Sequence, residues 1–169
     1  MKTFTFLISL FCAGATLLTS CGNKSGSPVP ALTNCTGCQF LFTENADLAS
    51  DALFTSGTYR LFWAELKKGV VTQKVYIKAP MQGRSFNLSK ADILAHKVLV
   101  SDMCIFCNMI AMVPVDGSVK GTNVTPNERA DRARWLIEAK IIRSAIDGGG
   151  YLKDTVNIRQ YFTANFVMN

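Results

Sequence analysis

The chain has 169 residues, of which 18 are lysine or arginine and 12 are aspartate or glutamate, so its formal net charge is +6. With 49% apolar residues and 10% aromatic residues, it has enough core-forming side chains to exclude a wholly disordered protein. A single histidine excludes sites that need two, and the excess of positive charge is too small for a dedicated nucleic-acid binder.

The first twenty residues have the organisation of a secretory signal peptide. Lys2 is their only charged residue, and an apolar stretch follows from Phe4 to Leu18. A basic start, a short apolar run and small residues near its end are typical of such a peptide. The run is too short and too interrupted by polar residues for a transmembrane helix, which needs about 20 apolar residues. We therefore predict that residues 1–20 form a signal peptide that is removed.

The end of this run, Leu18-Thr19-Ser20-Cys21, resembles the lipobox of bacterial lipoproteins. The resemblance implies a diacylglyceryl group on the Cys21 thiol, cleavage before Cys21 and acylation of the new N-terminus, with palmitate as a typical acyl chain. More than one acyl chain makes membrane anchoring stable. The chain is similar in this respect to small Bacteroidetes envelope lipoproteins. Gly22 replaces the aspartate associated with inner-membrane retention in enterobacteria, so the resemblance implies the outer membrane.

A short linker follows the predicted lipid site, Cys21. Residues 22–30 read GNKSGSPVP, a composition that predicts a flexible to partly extended tether over residues 21–30. This tether lacks the acidic cluster associated with surface export of Bacteroidetes lipoproteins, so we expect a position that faces the periplasm. Residues 31–169 are predicted to form a single β-rich domain, which is long enough to bury one core.

The domain consists largely of short β-favouring segments separated by turn residues. The predicted strands are residues 39–43, 58–66, 70–79, 84–88, 97–101, 108–115, 135–145 and 155–168. The strand 108–115 is expected to end at the turn dipeptide Asp116-Gly117. Short helices are predicted at residues 89–94 and 126–133. The pattern predicts a mainly β protein: an antiparallel β-sandwich, or a small barrel, of about seven to eight strands with one or two short helices.

Four cysteines remain after the signal peptide and the lipid site, and they form two C-x-x-C motifs: Cys35 with Cys38, and Cys104 with Cys107. Export delivers the chain to an oxidising compartment, where an even number of cysteines is normally paired. Four cysteines allow three pairings, and the sequence does not choose among them. We expect disulfides, formed either within the motifs or between them.

Two other uses of the motifs stay open. Two C-x-x-C turns can supply four thiolates to one tetrahedral zinc ion, and the methionines beside the second motif would suit copper(I). A C-x-x-C motif can also exchange disulfides. The alternative functions are therefore a metal-handling lipoprotein and, third, a thiol–disulfide oxidoreductase.

No catalytic motif is present. The chain has no G-x-S-x-G and no G-x-x-x-x-G-K-[ST] sequence. A group of basic residues interleaved with acidic ones is expected to be a solvated face: Arg129, Arg132, Arg134, Lys140 and Arg143. We predict a non-enzymatic, lipid-anchored envelope protein without a cofactor. Its expected partners are the membrane, through the anchor, and an envelope protein or glycan, but not nucleic acid.

Overall fold

The computed structural model describes residues 31–49, 53–146 and 151–165. This part of the chain is mainly β, as the sequence predicts. Its strands are β1 (Gln39–Leu48), β2 (Phe54–Ser56), β3 (Tyr59–Lys68), β4 (Val71–Pro80), β5 (Ser85–Leu88), β6 (Val98–Met103), β7 (Met112–Asn123), β8 (Arg134–Ala145) and β9 (Lys153–Ala164). One short helix, α1 (Lys90–Leu94), and one 3₁₀ turn (Ala130–Arg132) complete the described elements.

The nine strands form one sheet in the order β5-β7-β8-β9-β1-β3-β4-β6, with β2 paired to the C-terminal end of β1. All neighbouring strands are antiparallel except β1 and β9, which pair in parallel through Leu41 opposite Thr163 and Phe42 opposite Ala164. The sheet is therefore mixed. It is a single curled sheet, a half-barrel, and so lies closer to the small barrel than to two separate packed sheets.

Curling places one face of every long strand against a shared core. On β8 the alternating residues Trp135, Ile137, Ala139 and Ile141 are buried, and on β4 Val75 and Ile77 are buried in the same cluster. This alternation follows from the two-residue period of a strand. At the centre of the core, the ring of Phe62 lies edge-on to the rings of Trp135 and Phe162, at centroid distances of 5.6 and 5.7 Å.

The helix α1 lies where the two ends of the strand order meet. β5 and β6 are at opposite ends of that order, yet only residues 89–97 connect them. α1 packs against β7 and places Ile93 in the core. Asp92 accepts hydrogen bonds from the Lys97 ammonium group at 2.7 Å and from the backbone N–H and hydroxyl of Ser89 at 2.9 Å each. These bonds lower the pKa of Asp92 to about 2.

Two expectations about secondary structure are wrong. The helix at residues 126–133 is only the 3₁₀ turn Ala130–Arg132, because the chain before it turns through hydrogen bonds of Thr125 with Asn123 and Arg134. β7 does not end at Asp116-Gly117 but continues to Asn123 through a bulge between Pro114 and Asp116. Gly117 has φ 126°, and a Cβ there would lie 2.0 Å from the Lys140 carbonyl oxygen, so this position requires glycine.

Candidate functional site

The four cysteines of the two motifs are paired in the structure. Cys35 is bonded to Cys38 and Cys104 to Cys107, with Cα–Cα distances of 5.6 and 5.4 Å. The expectation of disulfides is therefore confirmed, and the structure selects the pairing within each motif. Cys21, the predicted lipid site, lies outside the described residues.

The Cys35–Cys38 bridge closes a turn between two stretches that both bond to β9. Before the turn, the N–H of Thr33 donates to the carbonyl oxygen of Arg159 at 2.8 Å. After it, β1 pairs with the end of β9. The backbone N–H of Lys67, at the end of β3, donates to Cys38 Sγ at 3.2 Å. The bridge thus constrains the turn. Before this turn the chain bonds to β9, and after it the chain, as β1, lies between β9 and β3.

The Cys104–Cys107 bridge closes the first turn of the loop that leads from β6 to β7. Ile105 and Phe106 lie between the bridged cysteines and are 86% and 93% exposed. Because the bridge restricts the backbone on both sides, these two apolar side chains are held at the surface. The disulfide at this position constrains an exposed loop.

The two bridges lie at the same end of the sheet but do not converge. Across this end, Gln39 lies opposite Glu65, Glu65 opposite Lys74, and Lys74 opposite Ser101. Three strand spacings correspond to roughly 14 Å, whereas sulfurs that share one zinc ion are about 3.7 Å apart. Among residues 31–49, 53–146 and 151–165, no group of three or more His, Cys, Asp or Glu side chains could hold a metal ion.

Exposed apolar side chains gather at the end of the sheet that carries both bridges. They come from the β3–β4 turn, the β6–β7 loop and the β8–β9 connection, and each is at least 59% exposed. We call this set the apolar rim: Val70, Ile105, Phe106, Ile110, Ile146 and Tyr151. Monomeric proteins rarely leave large apolar side chains clustered on their surface without a binding role. The rim is therefore the first candidate for a functional surface.

A buried ion-pair network closes the core directly beneath this rim. Arg143 on β8 donates from Nη1 to Asp102 on β6 at 2.6 Å and from Nε to Asp154 on β9 at 2.8 Å. Gln73 donates to the other oxygen of Asp102 at 2.7 Å. Burial opposes the charge on Arg143, but the bonds to Asp154 and Asp102 outweigh it and raise the pKa of Arg143. Because β6 and β8 are not neighbours in the sheet, this network ties the curled sheet across its open side.

The position of Arg143 corrects an expectation from the sequence. It was expected on a solvated face with four other basic residues, yet only 4% of its side chain is exposed. Its side chain shares the inner face of β8 with Trp135, Ile137 and Ile141. The sequence contains the pattern that predicts this burial, because Arg143 continues the alternation of those residues along β8.

A recess of about 370 Å³ on the outer face of the sheet is a second candidate surface. Its lining combines apolar and polar side chains, among them Tyr76, Lys78, His96 and Leu99. Burial, followed by the charge of Glu65, raises the pKa of the Tyr76 phenol, which therefore stays neutral and able to donate a hydrogen bond. A recess of this size and composition suits a small ligand that has both apolar and polar groups.

Comparisons with protein-family models, with curated proteins and with solved structures find no match to this chain. Within the described residues, no helix is long and apolar enough to span a membrane. The candidate surfaces therefore rest on the geometry of this chain alone.

Proposed function

We propose that this chain is a lipid-anchored protein of the bacterial cell envelope that acts as a non-enzymatic binding module. The observation that carries the proposal is the pairing of both C-x-x-C motifs as disulfides. Structural disulfides persist in oxidising compartments such as the periplasm and are rare in the cytosol. This agrees with export directed by the signal peptide of residues 1–20.

The lipobox supports the anchor. Acylation of Cys21 and of the new N-terminus attaches the domain to the periplasmic face of the outer membrane through the tether 21–30. A comparison of the wild-type chain with a Cys21→Ser variant, both expressed in a bacterium that processes lipoproteins, tests this. We expect the wild type in the outer-membrane fraction and the variant outside it. Identical fractionation of the two chains contradicts the anchor.

The binding role is supported by two surfaces, the apolar rim and the outer-face recess. We assign the recess to an envelope protein or glycan, because an aromatic ring, a lysine and a histidine line it. Titration with soluble peptidoglycan fragments, followed by NMR, tests whether the recess binds a glycan. We expect chemical-shift changes that are confined to the residues of the recess. These changes should disappear in Leu99→Arg, whose side chain fills the recess, but remain in Leu136→Arg, on β8. Shifts that are equal in both variants contradict this assignment.

The metal-handling alternative predicts reduced cysteines, whereas a thiol–disulfide oxidoreductase cycles between the dithiol and the disulfide. Protein purified without reductant is expected to have no free thiol and no bound zinc or copper. Four free thiols with one equivalent of metal would support the metal-handling function instead. Measurable disulfide reductase activity would support the oxidoreductase.

A further inference from the structure

The apolar rim holds the most exposed apolar side chains of the β3–β4, β6–β7 and β8–β9 connections, all at one end of the half-barrel. At its tip, the Cys104–Cys107 bridge holds Ile105 and Phe106 at 86% and 93% exposure. Large apolar side chains presented on a constrained loop suit insertion into a soft apolar phase. They are less suited to a rigid protein partner, which would require a complementary groove.

The first described residues lie against β9, the strand that begins beside this rim. Thr33 bonds to Arg159 on β9, and Ala31 lines the same recess as Asn157, which is two residues nearer the start of that strand. β9 begins at Lys153, next to the rim residue Tyr151. Four residues of strand from Asn157 to Lys153 cover about 13 Å. The ten residues 21–30 span at most about 35 Å, so the tether is long enough for the rim to reach the membrane that holds Cys21.

The charges beside the rim also suit a phospholipid surface. Lys68, before the β3–β4 turn, and Lys153, at the start of β9, are both exposed. Asp102 and Asp154, beneath the rim, share the positive charge of Arg143. Basic groups beside an inserted apolar loop are attracted to anionic headgroups.

We propose that the apolar rim docks onto the leaflet that holds the lipid anchor, with Ile105 and Phe106 inserted at the boundary between headgroups and acyl chains. The proposal rests on the lipid anchor proposed above. Docking fixes the orientation of the half-barrel, so that the rim faces the bilayer and the opposite end, with α1 and the β7–β8 connection, faces the periplasm.

The test uses the full lipidated chain in vesicles of phosphatidylethanolamine and phosphatidylglycerol at 3:1. Phe106→Trp reports from the rim, and Val124→Trp, 41% exposed at the other end of β7, is the matched control. The fluorescence of the native tryptophans is subtracted with the wild type. With brominated lipids, we expect Phe106→Trp to be quenched at least twofold more than Val124→Trp.

Three outcomes are distinguishable. Flotation of the wild type with the vesicles together with selective quenching at position 106 supports docking. Flotation with equal quenching at both positions overturns docking but leaves the anchor intact, and points to a protein as the occupant of the rim. Absence of flotation contradicts the anchor and therefore the docking. Unchanged unfolding midpoints of both variants show that the fold is preserved.

Discussion

Replacement of Arg143 by methionine removes the charge that two carboxylates share beneath the rim. The side chains of Arg143 and Asp102 are 4% and 13% exposed, and breaking such a buried pair typically costs about 3–5 kcal/mol. Two features reduce this value: Gln73 still donates to Asp102, and Asp154, 44% exposed, is rehydrated at little cost. We therefore expect Arg143→Met to lower the free energy of unfolding by about 2–4 kcal/mol, measured by urea denaturation.

The same network supplies the controls for this experiment. Asp154→Asn removes the exposed partner and should cost no more than about 1 kcal/mol. Adding Asp102→Leu to Arg143→Met removes the uncompensated carboxylate, so the double variant should recover at least half of the loss. A cost below about 0.5 kcal/mol for Arg143→Met, or an equal cost for Asp154→Asn, would refute the view that this network ties the curled sheet together.

Three further outcomes are expected. Gly121→Ala should cost about 1–3 kcal/mol in urea unfolding, because its Cβ would lie 2.0 Å from the ring of Phe86; a neutral effect contradicts this packing. Stability should fall as the pH decreases from about 4 towards 2, because the pKa of Asp92 is about 2 when folded and about 3.9 when unfolded. Asp92→Asn should flatten this part of the pH profile. The double variant Cys35→Ser with Cys38→Ser should lower the free energy of unfolding by at most about 2 kcal/mol, since the bridged residues are only three apart. A larger loss of stability in thermal unfolding indicates that the bridge holds β1 in place.

The strands with regular alternation could be predicted from the sequence because their two faces meet different surroundings. On β8, Trp135, Ile137 and Ile141 are completely or almost completely buried, as their spacing predicts. β2 (Phe54–Ser56) was missed, because three exposed residues carry no alternation. The curl of the sheet could not be predicted either, since it depends on the parallel pairing of β1 with β9 and on α1, contacts between segments far apart in the sequence.

The candidate site was only partly foreseen. The sequence identified the four cysteines but not their pairing, because that depends on how far apart the sheet holds the two motifs. The bulge in β7 was interpreted as a turn, since an Asp-Gly dipeptide has the same local preferences in both settings. The apolar rim combines three connections that are distant in the sequence, and no single one of them has a distinctive pattern.

The proposal that this chain is an exported, lipid-anchored and disulfide-bonded protein is tested most directly by the intact mass of the chain isolated from the cell envelope without reductant. We predict the mass of residues 21–169 with a diacylglyceryl group and an additional acyl chain, reduced by four hydrogens for two disulfides. Peptide mapping should place the bridges at Cys35–Cys38 and Cys104–Cys107. An unacylated chain that retains residues 1–20, or one with four free thiols, would contradict the account.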